Sequence, residues 1–348
     1  MSVDALVRAD IAAMAGYVPG EQPSDGRLVK LNTNENPYPP SPRVVDAIRA
    51  EAGPALARYP TPASDAVRER AARVYGLDAS QVLVGNGSDE LLSIVLRACV
   101  EPGQTVAYPV PTYSLYGTLA ALAGAEIVEV PAPAGVVPDG LPATDARVTF
   151  LCTPGSPVGR SLGRDDLSAY ADAARGVVVI DEAYADFADG DALELVDRHD
   201  NVVVTRTFSK SFSLAGLRLG LAFASTGLVS HLAKVKDSYN VSRLSAAAGA
   251  AALDDVAWMR SNVARVRATR ERVAAQLRDR GLAVEPSDAN FLWIDIGHPT
   301  SEQVYRGLRE RGVLVRYFDS VELRHGLRVS VGSDADMDRF VEALDQSL

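Results

Sequence analysis

Seven short apolar runs separated by amphipathic stretches constrain this chain more than any other feature. They lie at 82–84, 105–108, 126–130, 148–151, 177–180, 202–205 and 219–224. Helical patterns fall between most of them, as at 90–99, 113–123 and 165–174. Strands alternating with helices predict an α/β fold: a mainly parallel seven-stranded sheet with helices on both faces. A long helical pattern follows at 254–280, with Val256, Met259, Val263, Val266, Val273 and Leu277 on one stripe. Arg270 interrupts that stripe, so a switch of contacts is expected there, where the helix passes between domains. Beyond it, β-rich runs at 291–296, 313–317 and 327–331 alternate with helical patterns at 301–311 and 335–348. The expected division is a large domain over 54–240. A smaller α+β domain then combines an N-terminal arm, 1–53, with 241–348. The Pro/Ala/Gly-rich stretch 131–142 reads as a surface connection.

A chain of 348 residues can bury a sizeable core, and 47% hydrophobic with 23% charged residues is ordinary for a globular protein. A net charge of −10 argues against nucleic acid or an anionic membrane as a partner. Cys99 and Cys152, the two cysteines, sit in apolar runs and read as core thiols rather than a disulfide. The four histidines, His199, His231, His298 and His325, show no metal-ligand spacing. The first fifteen residues carry Asp4 and Asp10 and no apolar h-region, and no run is long enough to span a bilayer. The cytoplasm is therefore the expected compartment.

Three strand ends carry the chemistry. Lys210 follows the 202–205 strand in the run Thr207-Phe208-Ser209-Lys210-Ser211, and Arg218 comes eight residues later, after Gly216. A lysine amine can form a Schiff base with an aldehyde, and pyridoxal phosphate is the common aldehyde cofactor. Ser209 and Arg218 suit its phosphate, one by hydrogen bonding and the other by charge. Asp181 ends the β-branched run 177–180, where open α/β sheets place their ligands. A carboxylate there can keep the cofactor's ring nitrogen protonated, and Tyr184 can reach its phenolic oxygen. An Asp-Glu pair at this point could equally cap a helix. The third strand end is Gly85-Asn86-Gly87-Ser88-Asp89-Glu90, which leads into a helix and suits a phosphate. Glu90 stands where a dinucleotide loop would carry its third glycine, and Ser88 and Asp89 are also ordinary N-cap residues.

Taken together, these motifs resemble the aminotransferases of the aspartate aminotransferase fold type, and within them the histidinol-phosphate aminotransferase family. Further matching segments are Leu31-Asn32-Thr33-Asn34-Glu35-Asn36-Pro37, Arg58-Tyr59-Pro60, Pro111-Thr112-Tyr113, Lys236-Asp237-Ser238-Tyr239-Asn240, Ala289-Asn290-Phe291 and the run 327–332. The resemblance extends from about Tyr17 to Gly332. It implies fold type I of the pyridoxal-phosphate-dependent transferases and amino transfer between histidinol phosphate and 2-oxoglutarate or glutamate, as in histidine biosynthesis. It makes Lys210 the Schiff-base lysine and proton shuttle, with Asp181 and Tyr184 as its catalytic partners. Cofactor contacts would come from Gly87, Ser88, Asp89, Tyr113 (stacked on the ring), Ser156, Ser209 and Arg218. Tyr59 would reach the phosphate of a neighbouring subunit, which implies a homodimer with shared active sites. Substrate would meet Tyr17 and Asn34 at the mouth, and Arg316 and Arg328, whose guanidinium forks match carboxylate and phosphate.

One departure stands out. The family's Asn-Pro-x-Asn-Pro-x-Gly loop is replaced by Thr153-Pro154-Gly155-Ser156-Pro157-Val158-Gly159, so a serine hydroxyl takes the place of an amide that reaches further. Tyr239 and Asn240 match the family without revealing their contacts. Three alternatives share much of the pattern: an aromatic amino acid aminotransferase, a decarboxylase or lyase on the same fold, and a cofactor-binding regulatory module. The last normally carries a DNA-binding domain, for which no room is expected before Tyr17.

Overall fold

The structure is a computed structural model that describes residues 3–14, 16, 20–23 and 28–348. All seven expected strands join one sheet, in the order Val82–Gly85, Gly220–Ala224, Val202–Thr207, Val177–Asp181, Ala146–Cys152, Thr105–Val110, Glu126–Pro131. Gly220–Ala224 runs antiparallel to both neighbours, and every other pair is parallel. The central strands are buried on both faces, which explains their unbroken β-branched runs. Val178 and Ile180 enter one core, with Val204 and Phe223, while Val179 enters another with Phe150 and Val203.

The second of these cores is sealed by helices Ser88–Cys99, Leu115–Leu122 and Thr226–Val235, through side chains such as Leu92, Tyr116 and Leu232. The first is sealed by Asp65–Tyr75, Arg164–Ala173, Arg243–Leu253 and the start of Val256–Asp279. The alanines of Arg243–Leu253 let it pack closely on both Pro42–Glu51 and Asp65–Tyr75.

Along Val256–Asp279, Met259, Val263 and Val266 belong to the large core, whereas Val273, Ala274 and Leu277 belong to a smaller one. Arg270 falls at that switch and is buried. Its Nη1 donates to the carbonyls of Ala289 at 2.8 Å and Phe187 at 3.4 Å, and its Nε to Glu271 at 2.9 Å. Val241, Ala248, Leu253 and Met259 share the large core. The border expected at 240/241 therefore precedes the point, between Val266 and Val273, where the cores divide.

The smaller core underlies a four-stranded antiparallel sheet in the order Arg316–Tyr317, Gly326–Ser330, Phe291–Asp295, Ala283–Val284. Helices Thr300–Glu310 and Asp334–Asp345 add Val304, Leu308, Phe340 and Leu344 to it. The single strand expected over 313–317 is divided between two sheets. Val313–Leu314 pairs in parallel with Val29–Lys30, while Arg316–Tyr317 pairs with Gly326–Ser330. Leu327 and Val329 enter the small core, so by strand alternation Arg328 and Ser330 point the other way. Among the described residues, no helix is long and apolar enough to cross a membrane.

Candidate active site

The sheet topology collects the three motifs at one edge. Gly85, Asp181 and the loop holding Lys210 all follow the C-terminal ends of mutually parallel strands. Gly220–Ala224 runs the opposite way, so Arg218, two residues before it, arrives at that same edge. Close approach is essential here. A Cβ on Gly220 would lie 2.6 Å from both the Gly87 carbonyl carbon and the Ser88 nitrogen.

Lys210 Nζ donates to the Thr33 carbonyl at 3.0 Å and lies 5.8 Å from the centre of the Tyr184 ring. Burial, and then the charge of Arg328, lower its ammonium to about 8. The loop around it is held from two sides. Asn36 Nδ2 donates to the carbonyls of Lys210 and Ser211 at 3.0 and 3.2 Å, and the Ser211 hydroxyl donates to Asp186. Asp186 belongs to a deeper cluster around the buried Arg206. That guanidinium is 2.8 Å from Glu182, 2.8 Å from Asp191 and 3.4 Å from Asp186, and lies 5.0 Å over the Tyr75 ring. Glu182 thus serves Arg206 and also accepts from the Ala192 N–H at 2.5 Å, rather than capping a following helix.

Asp181 is 3% exposed. Its carboxylate accepts from Tyr116 Oη at 2.7 Å, the Ala183 N–H at 3.2 Å and Thr205 Oγ1 at 3.3 Å. Burial pushes it up to about 6, while Tyr116 opposes the rise. No cationic side chain pairs with it among the described residues. Tyr116 is itself fully buried, stacked on Phe150 at 4.7 Å and edge-on to Tyr113 at 5.6 Å.

At the third motif, helix Ser88–Cys99 begins after Gly87 (φ 90°), and no side chain caps its first amides. Those N–H groups and the positive end of the helix dipole form an anion cradle. Arg218, itself at φ 52°, reaches into it. Its Nη2 is 3.1 Å from Asp89 and its Nη1 3.3 Å from Ser209 Oγ. A Cβ on Gly87 would meet Arg218 Nη2 at 2.7 Å. Behind the cradle, Glu90 accepts from the Asn86 N–H at 2.5 Å and from Asn240 Nδ2 at 2.6 Å. Lys236 in turn donates to Asn240 at 3.0 Å. Tyr113 Oη lies 3.4 Å from Asp89.

Across from the large sheet stand Arg316 and Arg328, directly opposite each other on neighbouring antiparallel strands. Two guanidinium groups in this register repel one another and together favour an anion. Arg328 Nη1 donates to Ser156 Oγ and its Nη2 to the Asn32 carbonyl, both at 3.0 Å. Phe318 lies beneath both arginines, 5.2 and 5.5 Å from their guanidinium carbons.

The structure thus brings together Lys210, Asp181, Tyr184, Ser156 and Arg328 around one site, with Gly87, Ser88, Asp89, Ser209 and Arg218 at its phosphate-like end. Tyr17 lies outside the described residues. Asn34, expected at the substrate mouth, is 1% exposed and bonds Tyr184 and Ser330. Tyr59 is 77% exposed and stacks on Tyr239 at 4.5 Å, away from the other site residues of its own chain. Sequence reasoning missed Tyr116, Asn36, Ser330 and the link from Asn240 to Glu90. Asn36 and Asn240 fall within motifs already noted, whereas Tyr116 and Ser330 lie in ordinary helical and strand patterns that gave no separate signal.

A substantial core, an antiparallel strand inserted in a parallel sheet, and a buried aspartate and a loop lysine at the C-terminal ends of neighbouring parallel strands define a class of enzyme. The chain belongs to the family described as aminotransferase class I and II, which it matches over residues 27–344. It is 47% identical over 97% of its length to the histidinol-phosphate aminotransferase of Citrifermentans bemidjiense, covering 97% of that protein. It is 46% identical to histidinol-phosphate aminotransferase 1 of Nostoc sp., covering 97% of this chain and 96% of the other. The crystal structure of histidinol-phosphate aminotransferase from Sinorhizobium meliloti, in complex with pyridoxal-5'-phosphate, superposes with a TM-score of 0.83 at 28% identity. That match covers 91% of this chain and 90% of the other.

Proposed function

We propose that this protein transfers an amino group between histidinol phosphate and 2-oxoglutarate, with pyridoxal 5'-phosphate as cofactor. The observation that carries the reading is the opposed pair Arg316 and Arg328, with the Arg328 charge close enough to Lys210 to lower its ammonium. A single anion clamp near the reactive lysine accommodates both a phosphate ester and a dicarboxylate.

The residues fit the cofactor. Asp181 is a buried carboxylate without a cationic partner among the described residues, as a protonated ring nitrogen requires. Gly87, Ser88, Asp89, Ser209 and Arg218 would hold its phosphate at the uncapped helix start, and Tyr113 would cover its ring. Tyr184 and Ser156 would donate to its phenolic oxygen. When bound, the group supplies an aldehyde that condenses with amines and a ring that withdraws electrons from the carbon next to them. Lys210 Nζ, lowered to about 8, can lose and regain a proton near neutral pH, which suits it to move the proton at the substrate carbon. Asp181 would hold the proton on the ring nitrogen, and Tyr116 and Thr205 hold Asp181. Arg316 and Arg328 orient the substrate by its anionic end. Exposed Tyr59, paired with Tyr239, would contact the phosphate of a second copy in a homodimer with shared sites.

The test compares histidinol phosphate with histidinol, which lacks the phosphate, in wild type and Arg316→Gln. Wild type should favour the phosphate ester by at least about a hundredfold in kcat/KM, and the variant should lose most of that preference. Equal rates with both amines in wild type would remove the arginine-clamp reading.

A further inference from the structure

Tyr184 Oη has its accepting side occupied by Asn34 Nδ2 at 3.0 Å, and this bond has a direction fixed by its surroundings. The backbone N–H of Asn34, which can only donate, points at Ser330 Oγ at 2.7 Å. Ser330 Oγ in turn lies 2.9 Å from Asn34 Oδ1. Ser330 is 3% exposed, and Asn34 Oδ1 is the acceptor its hydroxyl finds. Turning the Asn34 amide over would leave the serine proton buried with no acceptor and would place an oxygen against Tyr184. The amide is therefore locked with its NH2 toward Tyr184, whose own proton is left for something in the site. The Asn34 carbonyl accepts from Asn290 Nδ2 at 3.0 Å, and this fixes the residue in its left-handed conformation, φ 56°. Arg328 treats Ser156 in the same way. A guanidinium only donates, so the Ser156 hydroxyl proton is also directed elsewhere.

We infer that Ser330 and Asn34 form a one-way hydrogen-bond relay that holds Tyr184 as a proton donor toward the bound cofactor. This rests on the cofactor reading above and gives Asn34 and Ser330 the part of positioning residues, in place of the substrate contact expected of Asn34. Ser330 lies two residues from Arg328 on the same face of strand Gly326–Ser330, so one strand sets both the anion clamp and the polarity of the tyrosine. The charged and titratable groups facing Tyr184 are Lys210, Arg328, Asp181 and Cys152. None of them is altered by changing Ser330.

The test is a double-mutant cycle read from the pH midpoint of the bound cofactor's visible absorption in the holoenzyme. Ser330→Ala should raise that midpoint by about half to one pH unit, the effect of one weakened hydrogen bond. In a Tyr184→Phe background the same change should leave the midpoint where Tyr184→Phe alone puts it. Asn34→Asp, which keeps the size and tolerates positive φ, is the second variant. It turns Tyr184 toward a carboxylate and should shift the midpoint more in the tyrosine background than in the phenylalanine background. Equal Ser330→Ala shifts in both backgrounds, or no shift in either, overturn the relay. Absence of any visible band in wild type overturns the cofactor reading itself, and the relay with it.

Discussion

Replacing Lys210 with Met should make the cofactor-free protein more stable, although it removes the residue on which turnover depends. Burial and the Arg328 charge lower the Lys210 ammonium from its ordinary 10.5 to about 8. At about 1.4 kcal/mol per pH unit, that gap disfavours the folded state by about 3 kcal/mol when the lysine is charged in both states. The side chain keeps some contact with solvent, and screening reduces the figure to about 2 kcal/mol. Loss of the Nζ bond to the Thr33 carbonyl takes back about 1 kcal/mol, leaving a net gain of about 1 kcal/mol. The pH dependence has a definite sign. Between about 8 and 10.5 the folded state binds fewer protons than the unfolded one, so wild-type stability rises with pH through that window. The Met variant lacks this rise, so its advantage is complete below pH 8 and shrinks above it. Urea unfolding of both apoproteins at one protein concentration, at pH 7 and pH 9.5, measures the difference. A variant less stable than wild type at pH 7, or a gap of equal size at both pH values, would show that the buried ammonium does not destabilise the fold.

Gly87→Ala should weaken cofactor binding by about ten- to a hundredfold in a titration of the apoprotein, because the new Cβ displaces Arg218 and strains a backbone at φ 90°. Tyr116→Phe removes the shortest bond to Asp181 and should lower kcat by about tenfold with KM for histidinol phosphate little changed. An unchanged kcat would mean that Ala183 and Thr205 suffice to hold the carboxylate. Arg206→Met leaves Glu182 buried without its partner and should cost about 3–5 kcal/mol in urea unfolding, a far larger effect than any change at an exposed ion pair.

Much of this molecule was legible because its signals are local. Most strands of the large sheet contain a short, largely apolar run, and Lys210, Asp181 and Gly87 each sit close to one. The switch at Arg270 was visible as a charge on an apolar stripe, yet what satisfies it, the carbonyls of Ala289 and Phe187, was not. Partners distant in sequence stay hidden. Tyr116 lies 65 residues from Asp181, and its helix position reads as plain core. Ser330 lies 296 residues from Asn34. The run 313–317 looked like one strand because its apolar residues are continuous, and only tertiary pairing divides it between two sheets. Asn34 drew a substrate role from the motif around it, and its burial against Ser330 was not visible there. Alanine-rich Arg243–Leu253 carries no sign of which side it packs on.

Amino transfer from histidinol phosphate can be read from a single-turnover spectrum. Cofactor-loaded protein would be mixed separately with histidinol phosphate, phenylalanine, threonine phosphate and glutamate. The cofactor band should convert to that of its amine form much faster with histidinol phosphate than with phenylalanine. Faster conversion by phenylalanine, or loss of carbon dioxide from threonine phosphate, would contradict it and move the function to aromatic transamination or decarboxylation.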